Sequence, residues 1–438
     1  MKQSIRLGVV CLARKTFDWK AAADIWAKLR TELALLENVE LLAPEELVIE
    51  VEDARKAAAA LSSARVDAVA IISGTFHLGH LALEIAKELN KPILLWGLPE
   101  LPYDGGKIRL NSVCGVNLNA SNLYKGGIRN YQVIVRSDID QDWVDAIRVR
   151  KALSTAHVGI VGYRAHGFFN LGTADLALYR EMGVLVDHYE LSEIFEKKVA
   201  EDKVAARKSQ LSSTFDVSGI TSEQLDKVSS LSAKMEAFLD EHSLDALAVR
   251  CWPEFAGTFG ISPCAAMSLL QSEQRILACE GDIEGALSML AHRAVGAETP
   301  FLFDFSQVDF EEDCALFWHC GVAPCNLWDG TCVRSLDTYF AGGKGVTADF
   351  VLKSGSVSIL RLDSCDGKFR LFLDKATAIP MEKKLKGTYM KAVFDRPVSE
   401  VLDKVVRNGI AHHASVVYGT FIKPFQLYAK IQGWTVVD

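Results

Sequence analysis

Val69-Ala-Ile-Ile-Ser-Gly-Thr-Phe-His-Leu-Gly-His80 passes from an unbroken apolar run into glycine-marked loop residues, and a helical pattern follows. A short run with no wet face reads as a strand buried on both sides, the habit of parallel sheets covered by helices. The neighbouring sequence keeps this alternation: strand-like Arg6 to Ala13, a helical pattern from Trp19 to Leu36, Ala68 to Ser73, a helix after His80, then Pro92 to Trp96. That order predicts βαβ units and a parallel sheet. Ligands are then expected beyond the carboxyl ends of its strands.

A second unit of the same kind opens at His157-Val-Gly-Ile-Val-Gly162. It continues through helical patterns near Thr173 to Met182 and Thr221 to His242, and strands at Leu247 to Cys251 and Ile276 to Cys279. After about residue 296 strand-like runs (Phe301 to Phe305, Val357 to Leu362, Phe369 to Leu373, Ala414 to Tyr418) are separated by Gly/Asp turns. The expected architecture is α/β: two Rossmann-like domains with parallel sheets, 1–153 and 154–295, followed by a mainly antiparallel β-barrel domain, 296–438.

Bulk composition narrows the function. Apolar residues at 49% and charged residues at 24% describe a globular chain, neither disordered nor membrane-spanning. A net charge of −8 leaves no default basic surface for phosphates, which argues against a nucleic-acid partner. The apolar run after Met-Lys-Gln-Ser-Ile-Arg is short and meets Arg14 and Lys15, so it reads as a first strand and not a signal peptide. Ten cysteines, several in apolar runs (Cys11, Cys251, Cys279), suit free thiols in a reducing cytoplasm. Cys314, Cys320, Cys325 and Cys332 cluster in sequence without a Cys-x-x-Cys pair, which favours free thiols over a structural zinc site.

Four runs carry candidate chemistry. Ile276-Leu-Ala-Cys-Glu280-Gly-Asp282-Ile-Glu284 delivers Glu280 at a strand end and enters a helix whose first turn suits Asp282 and Glu284. Pro300-Phe-Leu-Phe-Asp304-Phe sets a carboxylate inside an apolar run, suggesting burial on both faces and hence a need for a partner or a metal. Phe317-Trp-His319-Cys-Gly sets a histidine between aromatics and a turn, and Gly409-Ile-Ala-His412-His413-Ala places two histidines at the entry to a strand. Adjacent strand residues point to opposite faces, so at most one of that pair is expected in a given site. Ordinary roles (a cap, a packed core histidine, a surface pair) stay open, because the spacing matches no compact metal motif.

At these residues the chain resembles the L-fucose isomerase and L-arabinose isomerase superfamily. Cys-Glu280-Gly-Asp and Leu-Phe-Asp304 match in character the strand-end Glu and later Asp that supply two metal carboxylates there. Gly409 to His413 resembles the Gly-x-x-His-His pattern of arabinose isomerases. Ser73 to His80, followed by Asn90-Lys-Pro-Ile-Leu, looks like the family's first domain, and Gly162-Tyr-Arg-Ala-His-Gly167 resembles the start of its second. The resemblance implies a cytoplasmic, metal-dependent aldose-ketose isomerase working through an enediolate. Glu280 and Asp304 would be both ligands and acid/base groups, with His413 as a third ligand and His319 as a further one. Mn²⁺ is the implied ion, with Co²⁺ or Mg²⁺ as substitutes, since oxygen ligands plus imidazole suit them. Trp252, Arg164, His77 and His319 are the expected substrate contacts. A homo-oligomer, trimer or hexamer, with the site at a subunit interface is implied as well, and His77 would then face a neighbour's metal.

The substrate-contacting loops of the third domain are shorter than in either named enzyme, so fucose, arabinose, a pentose and a charged hexose all stay open. The competing class is a non-catalytic sugar-binding α/β protein with two units around a cleft. A nicotinamide oxidoreductase is set aside, because neither Gly8 nor Gly159-Ile-Val-Gly162 opens a Gly-x-Gly-x-x-Gly pattern.

Overall fold

The computed structural model describes residues 1–438. Residues 2–151 together with 426–433 form one compact unit, and 152–425 together with 434–438 form a second.

The first unit is built on a five-stranded parallel sheet: β1 (Ile5–Leu12), β2 (Val39–Leu42), β3 (Ala68–Ser73), β4 (Ile93–Gly97) and β5 (Tyr131–Val135), in the order β2-β1-β3-β4-β5. All six residues of β3 and all five of β4 are buried, which explains their lack of polar alternation. Helices His80–Leu89 and Val51–Ser63 cover the sheet with Leu81, Ile85, Leu89, Ala54 and Leu61.

In the second unit β6 (His157–Val161), β7 (Leu185–Tyr189), β8 (Ala246–Val249) and β9 (Ile276–Cys279) form a parallel sheet in the order β7-β6-β8-β9. Because the strands are parallel, the residues after β6, β8 and β9 emerge along one edge. The remaining strands are β10 (Phe301–Asp309), β11 (Cys314–His319), β12 (Ser335–Asp337), β13 (Thr347–Val351), β14 (Gly355–Cys365), β15 (Lys368–Ile379), β16 (Thr388–Phe394), β17 (His413–Tyr418) and β18 (Thr435–Val437). Six of them, β16-β11-β10-β17-β14-β15, pair antiparallel in sequence, and a β15–β16 pairing closes the ring into a barrel. Closure removes the exposed strand edges that an open sheet would leave.

The parallel sheet and the barrel share one apolar core, in which Val249, Leu277 and Cys279 join Phe301, Phe303 and Phe317. That sharing brings the carboxyl end of β9 against the barrel strands. Every cysteine is a free thiol. No helix is long and apolar enough to cross a membrane.

Candidate functional site

β9 ends at Cys279, and the next residue, Glu280, adopts a left-handed backbone (φ 63°). Such a conformation is uncommon outside glycine and turns the carboxylate away from the strand axis. Gly281 follows with φ 73°, and a β-carbon there would lie 2.4 Å from the Tyr163 carbonyl oxygen and 2.6 Å from the Arg164 Cα. Only glycine lets the loop after β6 close over the Glu280 corner, where the Ala165 amide donates to the Glu280 carbonyl at 2.9 Å.

The barrel supplies the other side. β10 pairs with β17 so that Asp304 stands opposite His413, and directly opposed residues share a face. His413 Nε2 lies 3.4 Å from Asp304 Oδ1 and 3.7 Å from Glu280 Oε2. His412 Nε2 lies 3.2 Å from the same Glu280 oxygen. Both histidines of the pair therefore reach one carboxylate, contrary to the alternation expected of strand neighbours. The reason is local: β17 begins at His413, and His412 sits in the bend before it. Asp304 also differs from expectation. Phe301, Leu302 and Phe303 are buried, but Asp304 and Phe305 are only half-buried, so the carboxylate is open on one side.

Two clusters sharing His413 emerge, Glu280–His412–His413 and Asp304–His319–His413, each with its potential ligand atoms within 4.8 Å of one another. No cysteine belongs to either. Asp304 Oδ1, His413 Nε2 and His319 Nε2 are buried and lack any hydrogen-bond partner. A buried polar atom left unpaired costs about 1–3 kcal/mol, so three of them converging is the signature of a missing partner. A divalent cation fits that donor set of carboxylate oxygens and imidazole nitrogen.

The histidines are not equivalent. His413 Nδ1 is held at 3.0 Å by Asp282 Oδ2, which directs its Nε2 at the cluster. His319 Nδ1 accepts the Cys320 amide at 2.8 Å, which puts the proton of a neutral ring on Nε2. His319 in that form offers the site a hydrogen and not a lone pair.

Asp282 caps the helix Ile283–Ala294 by accepting from the Gly285 amide at 2.8 Å, and its other oxygen receives both His413 and the Arg361 guanidinium. A β-carbon at Gly285 would fall 2.4 Å from that carboxylate oxygen, so the first turn must be open there. Arg361 is fully buried and also faces Glu284 at 3.5 Å and Asp363 at 3.9 Å. Sequence reading assigned Asp282 and Glu284 to the helix start and did not mark Arg361. The available signal was an arginine inside the apolar run Ile359-Leu-Arg361-Leu362, where a charge needs buried partners.

Charge follows from these contacts. Burial alone would raise the Glu280 carboxyl, but the His412 hydrogen bond and the electrostatic influence of the surrounding histidines, His413 first, outweigh it and hold it below the usual range. Burial is likewise overcome at Asp282, by Arg361 and His413, so it stays ionised. At Glu284 burial wins and the carboxyl is pushed up to about 7. At His413 burial favours the neutral ring, but the Asp282 hydrogen bond and the charges of Asp304, Asp282 and Glu280 raise it above the ordinary histidine value.

Of the other expected contacts, Arg164 stands in the loop after β6 and Trp252 in the loop after β8, on the sheet edge that carries Glu280. His77 belongs to the first unit, is buried, and has both ring nitrogens engaged, by the Thr75 carbonyl at 2.9 Å and Asn119 at 2.6 Å.

Residues 8–153 match the family described as fucose/sulfoquinovose isomerase, N-terminal domain. The chain is 28% identical over 424 residues to the sulfoquinovose isomerase of Priestia aryabhattai, covering 94% of each chain. It is 27% identical over 442 residues to that of Alkalicoccus urumqiensis, covering 98% of each, and 26% identical over 357 residues to that of a Clostridium species, covering 79% of this chain and 80% of the relative.

Proposed function

We propose, from the match of residues 8–153 to the fucose/sulfoquinovose isomerase N-terminal domain and the likeness to sulfoquinovose isomerases over 94% of the chain, an aldose-ketose isomerase that works on an open-chain sugar with a divalent ion, Mn²⁺ first, held by Glu280, Asp304 and His413. The observation that carries this reading is the convergence of unpartnered buried atoms of Asp304 and His413 beside Glu280. When bound, the ion would stabilise negative charge on the two sugar oxygens.

The protein's own residues do the rest. Isomerisation moves a proton between C1 and C2, and a base must be ionised yet within reach of the carbon. Glu280 meets the first condition, because its surroundings hold it as carboxylate. Its side chain and that of Asp304 are 16% and 26% exposed, so both meet solvent while anchored in protein. Glu280 and Asp304 are assigned as the acid/base pair, and His319 Nε2–H as a donor to a sugar oxygen. His412 braces Glu280.

The relatives' names make sulfoquinovose, a sulfonated hexose, the first substrate to try; fucose and arabinose come after it. The free thiols suit the cytoplasmic setting assigned here. The homo-oligomer is carried over from the family resemblance, with light scattering of the purified protein as its check. The test of the function is metal content measured beside a panel of aldoses, with Mn²⁺ and with chelator. Stoichiometric metal and chelator-sensitive ketose formation are expected; a protein with no metal and no turnover overturns the reading.

A further inference from the structure

We propose that Cys264 and Cys320 form a reversible disulfide under peroxide, and that this bond, made behind His319, switches turnover off. The bond stands on the thiol geometry alone; its effect on turnover rests on the isomerase reading, in which His319 donates to the sugar.

The two sulfurs are already in contact. Cys264 Sγ and Cys320 Sγ lie 3.4 Å apart, both buried, although the residues are 56 positions apart in sequence. Cys264 opens the helix Cys264–Ser272, and Cys320 is the first residue after β11. Two buried side-chain bonds hold that helix to the segment after β11: Ser268 Oγ donates to the Ala323 carbonyl at 2.6 Å and Gln271 Nε2 to the Val322 carbonyl at 2.8 Å. The thiols therefore face each other across a fixed packing contact. In a disulfide the sulfurs stand about 2.05 Å apart, so the two side chains must close by more than an ångström. The Cys279 thiol also interacts with Cys320 and is the competing partner.

Hydrogen peroxide accepts the two electrons. One thiol sulfur attacks a peroxide oxygen, the O–O bond breaks, and a sulfenic acid and one water result; the second sulfur then displaces the sulfenic hydroxyl, which leaves as a second water, and the S–S bond forms. Burial favours a peroxide over a bulky disulfide as the oxidant, because the smaller molecule needs the smaller opening. His319 is where the bond is felt. Its Nδ1 lies 3.2 Å from Cys320 Sγ and accepts the Cys320 amide at 2.8 Å, so the residue drawn toward the helix is also the one that sets the ring. The chain beyond cannot absorb the movement: at Gly321 a β-carbon would lie 2.5 Å from the Ala348 carbonyl oxygen of β13, and the Tyr339 hydroxyl donates to the Cys320 carbonyl at 2.9 Å. The shift passes to His319 and its Nε2–H, and misplacing a catalytic group by about 1 Å costs on the order of 10²-fold.

The experiment treats full-length wild type and Cys264→Ala, each with Mn²⁺, with hydrogen peroxide, follows aldose turnover, maps disulfide-linked peptides by mass spectrometry, and then adds dithiothreitol. The wild type is expected to yield a Cys264–Cys320 linked peptide, to lose turnover by at least about tenfold in step with it, and to recover when the link is reduced. Cys264→Ala is expected to keep its basal turnover and to escape the reversible loss. No linked peptide in the wild type, a Cys279–Cys320 link in its place, or a Cys264–Cys320 link with turnover unchanged overturns the proposal. Equal reversible loss in Cys264→Ala overturns it as well. The wild-type peptide map decides the bond without any variant and without any turnover, so a wild type that isomerises no aldose overturns the isomerase reading, and the switch with it, while the map still decides the disulfide.

Discussion

Asp282 Oδ2 stands 3.0 Å from His413 Nδ1, with both side chains fully buried, and the same oxygen receives the guanidinium of Arg361. The carboxylate thus orients an imidazole on one side and is itself held ionised on the other.

Asp282→Asn is expected to weaken divalent-ion binding about 10- to 100-fold, the usual effect of losing the partner that orients a ligating histidine. It also leaves Arg361 short of charge, so a stability loss of roughly 3 kcal/mol should accompany it. Calorimetric titration with Mn²⁺ and thermal melts measure the two separately. Undiminished Mn²⁺ affinity in a folded variant would remove His413 orientation from the role of Asp282.

Loss of a ligand and loss of a donor should look different. His413→Ala is expected to abolish stoichiometric metal, whereas His319→Ala, lacking only the Nε2–H, should keep its metal and lose turnover by about 10²-fold. Glu280→Gln should lose turnover by about 10²- to 10⁴-fold. Elemental analysis beside steady-state kinetics checks all three, and metal lost equally from His319→Ala would make His319 a ligand.

Gly281→Ala places a methyl group against the backbone of Tyr163 and Arg164 at a positive φ. The corner and the loop cannot both keep their positions. A lower melting temperature and a fall in turnover greater than tenfold are expected, since misplacing a catalytic group by about 1 Å costs on that order.

Stability of the metal-free protein should depend on pH through groups away from the metal ligands. Burial lowers His292 to about 3 and His77 to about 4, so each stays neutral in the fold and becomes charged only after unfolding. Their full contribution is present above the ordinary histidine value near 6.5 and is lost as pH falls toward those depressed values, by roughly 5 kcal/mol for His292 and roughly 3 for His77. Glu284, raised to about 7, acts oppositely: its contribution is present below the ordinary glutamate value and is lost as pH rises through 7. Denaturant unfolding between pH 4 and 8 tests this, with His292→Gln expected to flatten the acid limb and Glu284→Gln the neutral one.

Local pattern was enough for the fully buried parallel strands, though not for β2, β5 and β7, whose residues are mostly half-buried or exposed and form no apolar run. β3, written as Ala68-Val-Ala-Ile-Ile-Ser73, and β9, written as Ile276-Leu-Ala-Cys279, have the bounds expected from their apolar runs, because burial on both faces leaves no room for a polar residue. Glu280 was legible for a related reason, being the first charge after such a strand. The family resemblance drew Asp304 and His413 into the same reading. What no spacing carries is the meeting itself: β10 and β17 are far apart in sequence, and only their register sets Asp304 opposite His413.

Tertiary structure alone decided the support around those side chains. Asp282 and Arg361 come from a helix start and a barrel strand 79 residues apart, and a hydrogen bond between such groups exists only once the barrel closes and excludes water. Sequence by itself determined the fully buried strands and the acidic and imidazole groups at their ends, since those follow from local burial and periodicity. The folded chain decided that His412 as well as His413 reaches Glu280, that His319 presents a proton, and that Cys264 faces Cys320, because each depends on distances between segments that the order of residues does not contain.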